Sequence, residues 1–296
     1  MPIFKNTIKT SVLLAGLGGL IVTIAGVLGG GSSSSLTFGL LIAFVMVGGS
    51  YWFSDKLALK SAKARIVTEE DAPLFFGMVK ELTERAGMPM PRVAIAPNEQ
   101  PNAFATGRNP RHAVVCATEG LLRTMPEDEL RGVMAHELMH VKHRDILIGS
   151  VAAAIATAIS FIANMAMWAA MFGGRGSNDD DDRANPFALI LVSMLAPVAA
   201  SLLQMAVSRS REFEADRGAA ELLGNGSSLA NALERIEATA QQTPMQVAPA
   251  QAYAYIHNPL AEFQQKKSGP NMARLFSTHP STDERIARLR SMTFPQ

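Results

Sequence analysis

His136-Glu137-Leu138-Met139-His140 decides the reading of this chain. The pattern is H-E-x-x-H. On a helix, positions i and i+4 share a face, so both imidazoles reach one cation, and the glutamate beside the first histidine faces the open side of that cation. The surroundings read as a helix over about 126–145: Glu127, Asp128 and Glu129 suit a helix start, Pro126 sits near the first turn, and Thr124 with Glu127 fits a capping box.

A hydrolytic zinc site needs a third protein ligand and an open position. Within the motif's own helix, His143 is an awkward ligand, seven residues from His136, and reads better as an exposed or supporting histidine. The stronger source is Arg211-Glu212-Phe213-Glu214-Ala215-Asp216. Glu212 and Asp216 are again i and i+4, so Glu212 can ligate while Asp216 accepts the second imidazole proton of a ligand histidine. On spacing alone the stretch is equally a charged amphipathic helix with i,i+4 ion pairs.

Outward from these motifs the chain is strongly apolar. Of 296 residues 48% are hydrophobic and only 18% charged, with mean hydropathy +0.14. The excess lies in four blocks, about Thr10–Gly29, Leu36–Phe53, Ile146–Phe172 and Pro186–Val207. Each reaches the length needed to cross a bilayer, the second only just. The first reads as a retained signal anchor, its apolar core being too long for a cleaved signal peptide. Lys56, Lys60, Lys63 and Arg65 follow the second block, Lys142 and Arg144 precede the third, and Arg209, Arg211 and Arg217 follow the fourth. The basic flanks therefore fall on one side, the cytoplasm. Asp179–Asp182 reads as a solvated loop.

This topology bears on Glu212. His140 lies six residues before the third block, about 9 Å along a helix, and Glu212 five residues after the fourth. An antiparallel spanning pair brings both half-sites out at one membrane face. The expected organisation is a transmembrane hairpin at 1–53, a cytoplasmic catalytic part at 54–145, a second transmembrane hairpin at 146–207 and a second cytoplasmic catalytic part at 208–296. Within the soluble parts, helices are expected at about 71–87, 209–223 and 228–241 and from Thr282, where Ser281 and Glu284 form a capping box. Strands are expected at Arg92–Ala96, Ala103–Thr106 and Ala113–Ala117, the last two as a hairpin.

The net charge of +1 gives no case for nucleic-acid binding. The single cysteine, Cys116, excludes an intrachain disulfide and a cysteine-based zinc site. A non-enzymatic scaffold with structural zinc would need a fourth protein ligand. An intramembrane protease would need the motif inside a span, but Arg131, Lys142, His143 and Arg144 surround it.

The chain resembles the M48 family of membrane zinc metalloproteases, of the HtpX type. The resemblance covers nearly the whole chain and rests on four motifs in family order: His136–His140, Arg211–Asp216, Asn102-Ala103-Phe104-Ala105-Thr106-Gly107 and Ser277-Thr278-His279-Pro280-Ser281. It implies a gluzincin-type site on a mostly helical catalytic domain with a small sheet; with the four apolar blocks and their basic flanks, the expected fold is a mainly α membrane protein with four transmembrane helices and a cytoplasmic gluzincin-like α+β metalloprotease domain. The resemblance implies one Zn2+ per chain held by His136, His140 and Glu212, Glu137 as general base and acid, and Asp216 supporting a ligand. His279 and Arg285 resemble the His and Arg that project into the cleft, and either can serve as oxyanion donor. Without the family, His279 reads as a loop residue before a capped helix. Asn102, Ala103, Phe104, Ala105, Thr106 and Gly107 resemble the edge strand that holds substrate by backbone pairing. The implied substrates are polypeptides, misfolded or unassembled membrane proteins. The implied location is the bacterial inner membrane, in a protein quality-control and stress-response role.

Overall fold

The computed structural model describes residues 31–146, 209–240, 255–256 and 280–294, with scattered helical positions between 8 and 26. The third and fourth apolar blocks and His279 lie outside the described residues. Helix α1 (Ser33–Ser61) contains the second block. Ser32 starts it, its side chain accepting the Ser35 N–H at 3.2 Å. Among the described residues no single helix is long and apolar enough to cross a membrane, but Ser33–Gly49 and Tyr51–Ser61 meet that test together as a pair bent by 62°. Phe38, Leu40, Leu41, Phe44, Val45, Trp52 and Phe53 are exposed along it.

The chain then alternates strands and helices: β1 (Arg65–Val67), α2 (Pro73–Arg85), β2 (Arg92–Ala96), β3 (Ala103–Gly107) and β4 (Ala113–Thr118). The sheet order is β1-β2-β4-β3. Strands β2 and β4 pair in parallel, while β1–β2 and β3–β4 are antiparallel. The expected β3–β4 hairpin is present, and it leaves β3 at one edge of the sheet. Gly107 ends β3 at φ +125°, and an added Cβ would lie 2.3 Å from the His112 carbonyl oxygen, so only glycine fits the turn.

Four helices complete the described unit after the short α3 (Glu119–Thr124): α4 (Glu127–His143), α5 (Arg209–Leu223), α6 (Ser227–Ala240) and α7 (Thr282–Ser291). The capping-box expectation at Thr124 is corrected. Thr118 caps α3 by accepting the Leu121 N–H, which makes Thr124 the last residue of that helix. Its hydroxyl donates to the Gly120 carbonyl, and Pro126 precedes α4 without a side-chain cap. The expected cap at Ser281 is present, accepting the Glu284 N–H at 3.3 Å.

The sheet's two faces are covered differently. Val93, Ile95, Ala103, Ala105, Val115 and Ala117 face a large core shared with α2, α4, α5, α6 and α7. Ala94, Ala96, Phe104, Val114 and Cys116 face the end of α1, at Leu59, together with Tyr255. The alternation is what a two-sided buried strand requires. Helix α4 lies at the centre, with Val133, Met134, Ala135, Leu138 and Val141 wholly buried. It approaches α6 closely because Gly132 has no side chain: a Cβ there would meet the Leu229 backbone nitrogen at 2.6 Å.

Candidate metal centre and active site

Helix α4 carries His136, Glu137 and His140, all directed into the interior, and α5 brings Glu212 against them. One ligand atom from each of His136, His140 and Glu212 lies within 4.8 Å of the others. The two Nε2 atoms are 3.0 Å apart. Glu212 Oε2 is 3.7 Å from Nε2 of His136, and Oε1 is 3.7 Å from Nε2 of His140. A tetrahedral zinc with bonds of about 2.0–2.1 Å sets its donors about 3.3–3.4 Å apart, so these spacings bracket the requirement. The donor chemistry agrees. Two imidazole nitrogens and a carboxylate converge from two helices, a donor set of the kind zinc takes. His143 is not one of the converging donors.

Both histidines are held from behind. Nδ1 of His136 is 2.9 Å from Asp216 Oδ1, the contact expected from the i,i+4 spacing. Nδ1 of His140 is 3.0 Å from Asp145 Oδ2. Each carboxylate accepts the Nδ1 proton and leaves Nε2 as the lone-pair donor. Asp145 escaped the sequence reading because it lies just beyond α4. Arg144 takes a left-handed conformation (φ 58°), and its N–H bonds back to the His140 and Val141 carbonyls. That turn swings Asp145 under His140. A carboxylate soon after the last motif histidine was the available signal.

Arg285, from α7, locks the assembly. It donates through Nε to Asp216 Oδ2 at 2.9 Å and through Nη2 to Asp216 Oδ1 at 2.6 Å. Nη1 is 3.7 Å from Glu212 Oε2 and donates to the Ile256 carbonyl at 3.4 Å. Nη2 stands 3.4 Å from both ring nitrogens of His136, hence over the ring rather than along a lone pair. The side chain is 3% exposed, so this guanidinium is committed to the ligand framework.

Burial sets the protonation behaviour. It pushes the Glu137 carboxyl up to about 7, opposed by His140 and reinforced by Glu212. His136 is held below the ordinary imidazole range by burial, against the pull of Asp216. Burial opposes charge on His140, but Asp145, Glu212 and Glu137 outweigh it and raise that imidazole. Burial also raises the Asp216 carboxyl, but Arg285 and His136 bring it below the usual range.

Residues Asn102–Gly107 line the edge as expected, and all are buried. Asn102 is used by its own backbone: its N–H donates to Thr118 Oγ1 at 2.9 Å and its Oδ1 accepts the Ala103 N–H at 3.1 Å. The outer side of β3 already has a partner at one end. Ile256 N–H donates to the Ala103 carbonyl at 3.0 Å. Phe104 forms an antiparallel bridge with Tyr255, and their rings meet edge to face at 5.0 Å. No local sequence signal places Tyr255 there.

A buried H-E-x-x-H helix, a glutamate converging on it from a second helix and a small mixed sheet are the pattern of a metallohydrolase of the helix-borne type. Residues 76–293 match the model of peptidase family M48, and the chain belongs to that family. It is 52% identical over 290 residues to "Protease HtpX homolog" from Burkholderia mallei (strain SAVP1), with 97% of each chain covered. The same figures hold for proteins of that description from Burkholderia pseudomallei (strain 668) and Burkholderia thailandensis. The fold is similar to that of S. mikatae Ste24p, at TM-score 0.52 and 18% identity, over 97% of this chain and 66% of that one. The chain is thus an M48 metalloprotease of HtpX type.

Proposed function

We propose that this protein is a zinc-dependent endopeptidase of the bacterial inner membrane that cleaves misfolded or unassembled membrane proteins at the cytoplasmic face. The observation that carries the reading is the convergence of His136, His140 and Glu212 beside the buried Glu137. A zinc ion held by these three residues would polarise the scissile carbonyl and acidify water. Glu137 takes the proton of the attacking water and passes it to the leaving amine. A carboxyl buried beside the metal-binding histidines is placed for both halves of that transfer. Asp216 and Asp145 keep the ligand imidazoles in one tautomer, and Arg285 keeps Asp216 ionised and in place. His279, two residues before the α7 cap Ser281, is the proposed oxyanion donor.

The substrate pairs with β3 as an added strand, next to the place where Tyr255–Ile256 already does so. Such pairing reads extended backbone rather than sequence, which suits unfolded chains. The exposed apolar length of α1 supports membrane insertion, and the basic flanks of the four apolar blocks support a cytoplasmic site.

The test is cleavage of an unfolded protein by the detergent-purified chain. Wild type should cleave, Glu137→Gln should bind zinc without cleaving, and chelation should abolish activity that zinc restores. A fully active Glu137→Gln protein would overturn the mechanism.

A further inference from the structure

We propose that a cavity at the end of α1 binds the phosphate headgroup of an anionic phospholipid. The cavity measures about 430 Å3 and lies where α1 meets the β3–β4 turn and the start of β2. Its walls divide by chemistry. Trp52 and Phe53 supply the apolar side and are more than half exposed. Lys56, Arg92, Arg108 and Arg111 supply four cations, against the single carboxylate of Asp55. Asp55 is paired with Arg92, which leaves the other three charges uncompensated by the acidic lining.

The geometry points to an amphiphile rather than a soluble anion. The Arg108 guanidinium carbon lies 4.6 Å from the centroid of the Trp52 ring, within cation–π range. Lys56 Nζ lies 5.5 Å from the Phe53 ring. These pairs stand where the exposed apolar run through Phe44 and Val45 gives way to charge. That is the depth at which tryptophan and arginine sit in a membrane interface. Acyl chains can lie along α1 while the phosphate meets the arginine forks. The excess of cations favours a headgroup with net negative charge over a zwitterionic one.

The inference rests on the reading that α1 enters the bilayer, and one experiment separates the two. Trp52 and Trp168 are the two tryptophans of the chain, so Trp168→Phe leaves Trp52 as sole reporter. The full chain is placed in phosphatidylcholine nanodiscs containing a minority of brominated phosphatidylcholine or, separately, brominated phosphatidylglycerol. Quenching by brominated phosphatidylcholine reports insertion itself. The site adds stronger quenching by brominated phosphatidylglycerol. Arg108→Gln/Arg111→Gln should lower that preference about tenfold or more, and Arg111→Gln alone, at an exposed side chain, should lower it part of the way. Each variant is referred to its own fluorescence in unbrominated lipid, and its melting temperature is checked against wild type.

Lys60→Gln/Lys63→Gln, which removes two exposed charges nearby, should leave the preference in place. An equal loss in that pair would show diffuse attraction and overturn the site. Absence of extra quenching alongside normal phosphatidylcholine quenching would overturn the site and leave insertion standing; absence of both would overturn both. Displacement of the lipid by excess glycerol 3-phosphate would reassign the cavity to soluble phosphates.

Discussion

The carboxylate of Asp145 reaches back over the end of α4 to within 3.0 Å of Nδ1 of His140. The side chain of Asp145 is 3% exposed. It fixes one ring nitrogen so that the other faces the cation site. Carboxylates in this role typically account for about 10- to 100-fold in metal affinity. Asp145→Ala should weaken zinc binding by that factor, measured by competition with a chromophoric chelator. Asp145→Asn, which can still accept the Nδ1 proton through its amide oxygen, should lie between wild type and Asp145→Ala. Wild-type affinity in Asp145→Ala would remove the residue from the site.

Convergence of two imidazoles and a carboxylate in a buried space couples the metal to folding. Zinc at about a hundred times its dissociation constant should add about 2.7 kcal/mol to the folded state. The melting temperature of the chelated chain should therefore rise with zinc concentration. His140→Ala removes a donor and should abolish most of that rise, while Glu137→Gln, which spares all three donors, should keep it.

The site was legible wherever its chemistry imposes helical spacing. His136 with His140, and Glu212 with Asp216, are i,i+4 pairs, and no tertiary information is needed to see that each shares a face. The strands were legible from short apolar runs at Arg92–Ala96 and Ala113–Ala117, both faces being buried, and the second runs one residue further, to Thr118. What escaped depends on turns and distant contacts. Asp145 enters through the left-handed Arg144. Strand β1 has only three residues, two of them exposed, and gives little periodic signal. The Tyr255–Phe104 bridge joins residues far apart in sequence. Arg285 was expected in the cleft by resemblance, and its fork is held by Asp216 through a contact that no spacing rule reveals.

Close packing of α4 on α6 runs through Gly132. A side chain at this position would collide with the backbone of Ser228 and Leu229, which cannot rotate aside. Gly132→Ala raises helix propensity by about 1 kcal/mol, so propensity alone predicts a more stable protein. Overpacking works the other way, typically by about 1–3 kcal/mol. Backbone–backbone crowding puts this site at the upper end, so the net effect should be a lower melting temperature. On the proposed zinc site, affinity should fall as well, because α4 carries both His136 and His140 and must shift to relieve the contact.

The Arg285–Asp216 pair separates structural from chemical roles within the site. Both side chains are almost wholly buried, and each is the other's shortest charged contact, with His136 beside Asp216 and Glu212 beside Arg285 as further partners. Removing one partner strands the other charge, at a cost of about 3–5 kcal/mol, whereas removing both can be nearly neutral. Arg285→Met should therefore destabilise strongly. Asp216→Asn/Arg285→Met should recover much of the lost melting temperature. Zinc affinity and proteolysis should not recover with it, since His136 then lacks its carboxylate. If Arg285 acted only as a donor to the substrate, Arg285→Met would lower turnover with little change in melting temperature, and the double variant would show no compensation. Stability and turnover measured across the full double-mutant cycle distinguish the two.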